Sequence, residues 1–219
     1  MSTYVMSDIH GNYTKFLKML KLIDFQNDDE LYILGDIFDR GKQPFNILGY
    51  ILKHKNIHLL QGNHEGFLID YVDGFEDGYS WHCNGGIKTY TQFNMKTPEQ
   101  QQFIYQYLKS RPKYVILEDK YILSHAGIYI PPNGDGYELE TLVDVLGDNF
   151  LWHRYTIGKE KPYKHYIQIC GHNRVQSIEE GRNTILHRKG TIYIDCGIDV
   201  KGGQLGCLRL DEDLTEYYV

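Results

Sequence analysis

Short apolar runs alternate with amphipathic stretches along the first third of the chain. Apolar runs that stop at a polar or glycine-containing cluster predict three β-strands, at Thr3–Met6, Leu31–Leu34 and Ile57–Leu60. Apolar residues at helical spacing predict helices between them, over about Tyr13–Leu22 and from Pro44 to Leu52. The order β-α-β-α-β is typical of parallel strands joined by helical crossovers.

The pattern changes in the middle of the chain. From about Glu65 to Arg111 it is helical, polar and punctuated by glycine, with Thr97-Pro98-Glu99 as a helix start. A short helix is predicted near Leu139 to Leu146. Further strands are predicted at Tyr114–Leu117, Tyr121–Ser124, Tyr166–Cys170, Thr191–Ile194 and Leu205–Leu210. We therefore expect one α/β domain over residues 1–219, with a helical insertion or cap at 66–112.

Composition narrows the class of protein. The 219 residues are 42% apolar and 24% charged, which is typical of a globular chain and excludes disorder, collagen-like repeats and disulfide scaffolds. With 23 basic and 29 acidic residues, the net charge of -6 argues against a broad basic surface for duplex nucleic acid. Net charge says less about one small anion in a pocket, because local charge can oppose it.

Cysteine spacing and apolar run lengths bear on location. The four cysteines form no C-x-x-C pair, so free thiols in a reducing compartment are the simplest interpretation. No apolar run approaches the roughly 20 residues that span a bilayer. The N-terminus carries no basic segment followed by an apolar one. We expect a cytoplasmic protein without a membrane partner, and the sequence leaves the oligomeric state open.

Polar clusters follow five of the predicted strands at their carboxyl ends, the edge where α/β sheets build their sites. The clusters are Asp8–Gly11, Gly35–Gly41, Gly62–Glu65, Ser124–Gly127 and Cys170–Asn173. Any one of them alone is more often structural than functional. Five in order, each rich in Asp, Asn or His, indicate one shared site.

The residue types in these clusters indicate metal binding. Carboxylate and imidazole together suit borderline ions such as manganese, iron, zinc or cobalt, whereas an all-oxygen set would suggest magnesium or calcium. A two-metal centre needs one carboxylate that bridges the ions, and Asp36 is the central candidate.

The ordered motifs resemble those of the phosphoprotein phosphatase family of calcineurin-like metallophosphoesterases. The segments SDIHG, GDIFDRG, GNHE, HAG and GH, from Asp8 to His172, match that family's pattern, and DRG separates it from other metallophosphoesterases. Small bacterial and phage phosphatases and diadenosine tetraphosphatases are the most similar members. The resemblance implies a sandwich of central β-sheets flanked by helices.

The resemblance also implies a set of metal ligands. One divalent ion would be held by Asp8, His10 and Asp36, and a second by Asp36, Asn63, His125 and His172. Manganese is the ion expected first, with iron, zinc, cobalt and nickel as alternatives, because such ligands accept several first-row ions.

The same resemblance assigns catalytic roles. It implies in-line attack on phosphorus by metal-bound hydroxide, without a phosphoenzyme. His64 resembles the general acid for the leaving group, and Asp39 the carboxylate that orients it. Arg40, Arg154 and Asn63 resemble the residues that bind the substrate phosphate.

The substrate stays open between alternatives. We favour phosphomonoesters, including Ser/Thr phosphoproteins, over symmetrical dinucleoside tetraphosphates, and a different class is an inactive metal-binding scaffold. Substrate choice would lie in residues 66–112 and 128–165, whose tyrosines could stack on adenine but are more often packing residues. Two positions depart from the family pattern: Ser7 stands for the usual Gly, and Gln61 for the Arg common before GNHE in protein phosphatases.

Overall fold

In the computed structural model, ten strands form two five-stranded sheets within residues 1–75, 78–132, 136–155, 158–161 and 163–219, which are the residues described. The first sheet has the order β10-β9-β1-β2-β3 and the second β4-β5-β6-β8-β7. The strands are β1 Thr3–Met6, β2 Glu30–Ile33, β3 Ile57–Leu59, β4 Tyr114–Leu117, β5 Tyr121–Ser124, β6 Ile167–Cys170, β7 Leu186–Arg188, β8 Thr191–Tyr193, β9 Gly206–Arg209 and β10 Glu216–Tyr218.

Helices cover the outer faces of the sheets. They are α1 Tyr13–Leu22, α2 Pro44–Ile51, α3 Asn63–Asp73, α4 Tyr79–Cys83, α5 Ile87–Asn94, α6 Pro98–Lys109, α7 Leu139–Leu146 and α8 Val175–Ile178. A 3₁₀ turn at Gly147–Leu151 follows α7. Within the described ranges no helix is long and apolar enough to cross a bilayer.

Side-chain alternation along β1 explains how the layers form. Tyr4 and Met6 pack with α1 on one face, while Val5 points to the opposite face and into a core shared with the second sheet. Leu123 and Ile169 of the second sheet enter that same core. The molecule is therefore a sandwich of two sheets flanked by helices, which confirms the expected fold class.

The predicted crossovers are also present. β1 pairs in parallel with β2, and β2 with β3, so the carboxyl ends of all three strands lie at one edge. In the second sheet β5 pairs in parallel with β6, which brings two more of the predicted polar clusters to a common edge. Both β2 and β3 end one residue before the predicted bounds.

The middle of the chain is helical, as the pattern predicts, and α6 begins at Pro98 with Thr97 as its N-cap. The Thr97 hydroxyl accepts from the backbone N–H of Gln100, and the Gln100 side chain accepts from that of Thr97. Helix α3 already begins at Asn63, before the predicted insertion, because Gly62 caps it directly after β3. Residues 76–77, 133–135, 156–157 and 162, in the predicted insertion and substrate rim, lie outside the described residues.

Candidate active site

The carboxyl edges of the two sheets face each other and are tied together by hydrogen bonds. The imidazole Nδ1 of His125, after β5, lies 2.8 Å from the carbonyl oxygen of Leu34, after β2. The backbone N–H of His172, after β6, donates to Asp8 Oδ2, after β1, over 3.0 Å. Both sheets therefore contribute to a single site, and all the residues predicted as metal ligands lie at it.

The backbone of these loops is folded unusually tightly. Six non-glycine residues of the predicted site adopt the left-handed conformation: Asp8 (φ 51°), His10 (45°), Asp36 (55°), Asp39 (67°), Arg40 (60°) and His172 (62°). That region is sparsely populated by residues with a Cβ and costs energy. Such a concentration of it at one place indicates that the fold holds these side chains in set positions.

Two groups of possible metal ligands share Asp36. His10, Asp36 and His64 form one group and Asp8, Asp36 and His125 the other, with the ligand atoms of each within 4.8 Å of one another. His64 stands in the first group where the resemblance places Asp8, whose Oδ1 lies 3.9 Å from His10 Nε2. Asp36 Oδ2 lies 3.7 Å from His10 Nε2, and Asp36 Oδ1 lies 3.4 Å from His125 Nε2.

The hydrogen bonds of the histidines show whether a cation fits. Nδ1 of His125 must donate to the Leu34 carbonyl, so Nε2 of the neutral ring carries a lone pair. That Nε2 nonetheless lies 2.8 Å from Oδ1 of Asn63, another acceptor, and burial lowers the pKa of His125 and opposes a second proton. The Nε2 lone pair of His125 and the Asn63 side-chain amide therefore lie side by side, as two ligands of one cation would.

Two further histidines fit the same interpretation. His10 Nδ1 donates to the carbonyl of Phe38 over 2.9 Å, so its Nε2 carries the lone pair, which here accepts from Arg40 Nη1 and would be the atom that a metal ion binds. His172 Nδ1 lies 2.9 Å from Asn63 Oδ1, and its Nε2 is buried without a hydrogen-bond partner in the part of the chain that is described. The donor set, of imidazole nitrogens, carboxylates and one amide oxygen, therefore suits borderline divalent ions.

His64 and Asp39 form a buried pair at the edge of the ligand groups. His64 Nδ1 lies 2.6 Å from Asp39 Oδ2, and Trp81 Nε1 donates to the same oxygen over 2.8 Å. Burial raises the pKa of Asp39 to about 7, while hydrogen bonds from Thr89 and Trp81 lower it. Burial also lowers the pKa of His64 to about 3, and the Arg40 guanidinium beside it acts in the same direction. Burial therefore favours the uncharged form of both side chains, and the short contact between them holds the His64 ring in one orientation.

Glu65 supports the loop that carries Asp36. Its carboxylate accepts from the backbone N–H groups of Asp36 (2.7 Å), Ile37 (3.0 Å) and Gly62 (2.8 Å). Burial raises its pKa to about 7, against the effect of these bonds. Glu65 thus joins the ends of β2 and β3 and fixes the direction of the Asp36 backbone.

A cavity of about 90 Å³ opens above these groups. Arg40 and Arg154 both line it, as do Asn63 and His64. Arg40 Nη1 lies 2.6 Å from His10 Nε2, and Arg154 donates to Asn173 Oδ1 over 2.7 Å. Two guanidinium groups at the mouth of a polar cavity suit the recognition of a phosphoryl group.

Sequence reasoning did not single out four other residues that line the cavity: Asn84, Trp152, Arg174 and Ser177. Arg174 comes two residues after His172, and Trp152 two residues before Arg154, so their nearness to predicted site residues could have indicated them. Gln61 does not line this cavity; its side-chain amide donates to the carbonyl of Leu108 over 2.9 Å and ties β3 to α6.

Comparisons with known proteins agree with this geometry. The family described as calcineurin-like phosphoesterase matches residues 1–199. The chain is 32% identical over 155 residues to serine/threonine-protein phosphatase 2 of Salmonella typhimurium, covering 69% of this chain and 67% of that one. It is 27% identical over 132 residues to the symmetrical bis(5'-nucleosyl)-tetraphosphatase of Buchnera aphidicola subsp. Baizongia pistaciae, covering 59% of this chain and 45% of that one.

Solved structures support the fold. A provisionally named diadenosine tetraphosphatase superposes with a TM-score of 0.69 at 17% identity, over 100% of this chain and 92% of that one. At such low identity the likeness concerns the fold alone and says nothing about the substrate.

Proposed function

Because the chain belongs to the calcineurin-like phosphoesterase family, we propose that it is a two-metal phosphatase acting on phosphomonoesters, including phosphoserine and phosphothreonine in proteins. The observation that carries the proposal is Asp36, which is common to two groups of metal-ligating atoms beneath a cavity lined by arginines. Such a shared carboxylate is what a pair of ions requires.

The candidate metal ligands form two sets, one for each ion, and Asp36 belongs to both. Asp8, His10 and Asp36 would hold one ion, and Asp36, Asn63, His125 and His172 the other. Bound there, the ions would act as Lewis acids toward the phosphoryl oxygens and lower the pKa of water.

The chain's own residues supply positioning and a proton. Arg40 and Arg154 orient the phosphoryl group by paired N–H contacts to its oxygens. His64 would give a proton from Nε2 to the leaving oxygen, and the Asp39 carboxylate, 2.6 Å from Nδ1, would oppose the burial that disfavours the protonated ring. Trp81 and Thr89 keep Asp39 in place.

The phosphoprotein substrate is supported by the Salmonella relative, whose alignment covers about two thirds of both chains. The alignments to the tetraphosphatases of Buchnera aphidicola cover less than half of those proteins. The intact His64–Asp39 pair supports an enzyme over a silent scaffold, since metal binding alone does not require it.

A second substrate class has its own observation. A cavity of about 250 Å³ beside Arg154 is lined by Tyr129, His153, Tyr155 and Lys159. The ring centroids of Tyr129 and His153, and of His153 and Tyr155, are each 5.1 Å apart. Aromatic rings next to a phosphate-binding arginine suit a nucleobase, so symmetrical dinucleoside tetraphosphates are the alternative substrate.

Kinetics separate these substrates. The manganese-loaded protein is assayed side by side with phosphoserine and phosphothreonine peptides and with diadenosine tetraphosphate. We expect kcat/KM to be at least about tenfold higher for the peptides, the scale of one well-placed contact. A preference of that size for diadenosine tetraphosphate would favour the alternative substrate class. If neither substrate nor an aryl phosphate is hydrolysed, the remaining interpretation is an inactive metal-binding scaffold.

A further inference from the structure

A carboxylate that lies outside the motifs joins two arginines at the cavity. Asp199 Oδ2 accepts from Arg40 Nη1 over 3.1 Å and from Arg174 Nη2 over 2.6 Å. Its Oδ1 accepts from Arg174 Nε over 3.2 Å. Only 12% of the Asp199 side chain is exposed, so this contact is shielded from solvent and firmer than a surface ion pair.

The geometry of this contact fixes which edge of Arg174 faces the cavity. Asp199 engages the Nε/Nη2 edge of the guanidinium in a two-pronged contact. Among the described residues the Arg174 side chain donates to Asp199 alone, so its N–H groups on Nη1 and on the outer side of Nη2 remain for a ligand of the cavity that Arg174 lines. Asp199 likewise accepts one N–H of Arg40, whose Nη1 also lies 2.6 Å from His10 Nε2 and whose Nη2 lies 3.1 Å from His64 Nε2.

We propose that Arg174 is a third phosphate-binding arginine of the pocket, and that Asp199 is the positioning residue that holds Arg174 and Arg40 in a common orientation. The proposal rests on the proposed function, in that the ligand is a phosphoryl group. Together with Arg154, the two held arginines surround the cavity from three segments of the chain.

The charge balance agrees with a positioning role. Arg174 and Asp199 add one charge of each sign, so together they leave unchanged the positive charge of Arg40 and Arg154 that attracts a phosphate. It restricts two long side chains before the substrate arrives, which lowers the entropy lost on binding. Without Asp199 both guanidinium groups would keep their charge but lose their orientation.

Calorimetric titration of the manganese-loaded protein with inorganic phosphate tests the contact directly. We expect Arg174→Gln to weaken phosphate binding about 10-fold or more, because a charge-assisted hydrogen bond is lost. The matched control is Arg188→Gln, which removes the same charge from an exposed arginine outside the cavity and should bind phosphate like the wild type. Equal affinity in Arg174→Gln and wild type would overturn the assignment.

Steady-state kinetics on an aryl phosphate test the positioning role of Asp199. We expect Asp199→Asn to raise KM about fivefold or more with a smaller change in kcat, and Asp199→Glu to restore part of the loss. An unchanged KM and phosphate affinity in Asp199→Asn would contradict that role. If the wild type binds phosphate, Arg174→Gln binds it less tightly and no substrate is hydrolysed, the proposed function fails while the subsite stands.

Discussion

Asp36 is the residue on which the site depends most. Its carboxylate lies within 4 Å of nitrogens of His10, His64 and His125. Burial, together with the charges of Asp8 and Glu65, raises its pKa well above the ordinary value. A bound cation would relieve that repulsion, which agrees with the proposal that Asp36 is a ligand shared by two ions.

Replacing Asp36 by Asn tests that sharing. Asn keeps the size of the side chain and tolerates the left-handed backbone at this position (φ 55°), so the fold should persist. We expect the variant to lose both ions, because the bridging charge is gone. Metal analysis of the purified protein reads this out directly, and retention of two manganese ions per chain would refute the bridge.

A second substitution at residue scale concerns the proton. His64→Ala should lower kcat by about 10²-fold or more, the usual scale for loss of a general acid. Metal content should stay at the wild-type level. His165→Ala, which removes an exposed histidine far along the chain, serves as the control. Loss of metal in His64→Ala would mean that His64 is a ligand, as its place beside His10 and Asp36 also permits.

At the scale of elements, helices α4 and α5 supply contacts to Asp39 and Arg40 of the candidate site. Trp81 Nε1 donates to Asp39 Oδ2, and Thr89 Oγ1 accepts from the backbone N–H of Asp39 over 2.9 Å. The backbone carbonyl of Gly85 accepts from the N–H of Arg40 over 3.0 Å. We propose that the region predicted as an insertion or cap, residues 66–112, helps to position Asp39 and Arg40 in the site.

The Trp81 contact gives a prediction about pH. Trp81→Phe removes an N–H that stabilises the Asp39 carboxylate, so the pKa of Asp39 should rise from its value of about 7. Asp39 is then more protonated near neutral pH, and kcat should fall about threefold to tenfold at pH 6 and recover as the pH rises. Tyr79→Phe, an exposed aromatic residue in the same helix, is the control. Parallel pH profiles for Trp81→Phe and wild type would contradict this role.

The sequence predicts elements well where local pattern and pairing agree. The three strands that begin the chain and the helix at Pro98 follow from apolar periodicity and capping residues. Strands β7 and β10 are missed because each has three residues, pairs at a sheet edge and carries charged side chains. Their pairing is decided by the neighbouring strand, which a local pattern does not contain.

In the site too, some features follow from the local sequence and others depend on tertiary packing. The motif residues come together as expected because parallel strands bring their carboxyl ends to one edge. Arg174 and Asp199 were missed because their contact depends on how the loops after β6 and β8 pack against Arg40. The left-handed backbone conformation of six site residues could not be predicted from the sequence either, because the tertiary structure imposes it.

At the scale of the whole molecule, the site exists only if the loops at the carboxyl edges of the two sheets lie close together. The backbone N–H of His172, after β6 of the second sheet, donates to Asp8 Oδ2, after β1 of the first sheet, over 3.0 Å. A Cβ at Gly171 would lie 2.1 Å from Asp8 Oδ2 and 2.2 Å from Ser7 Oγ. The close approach of the two sheets therefore requires glycine here.

Gly171→Ala tests this approach. The added methyl group should push the loop after β1 away, lowering the free energy of unfolding by about 1–3 kcal/mol and weakening manganese binding. Gly49→Ala is the matched control, because a Cβ there meets nothing within 4 Å and alanine should stabilise α2 by about 0.5–1 kcal/mol. Chemical denaturation of both variants, with and without manganese, measures the two effects. If Gly171→Ala keeps the stability and metal affinity of the wild type, the loop after β1 accommodates the methyl group and glycine is not required at this position.

The most direct test of the account is a manganese titration of metal-free protein, followed by hydrolysis of an aryl phosphate. We expect no turnover without metal, since the chain's own residues position the phosphate and supply a proton but offer no activated water. Hydrolysis should then rise and level off as two ions bind per chain. Full activity in the metal-free protein, or no hydrolysis with both ions bound, would contradict the account.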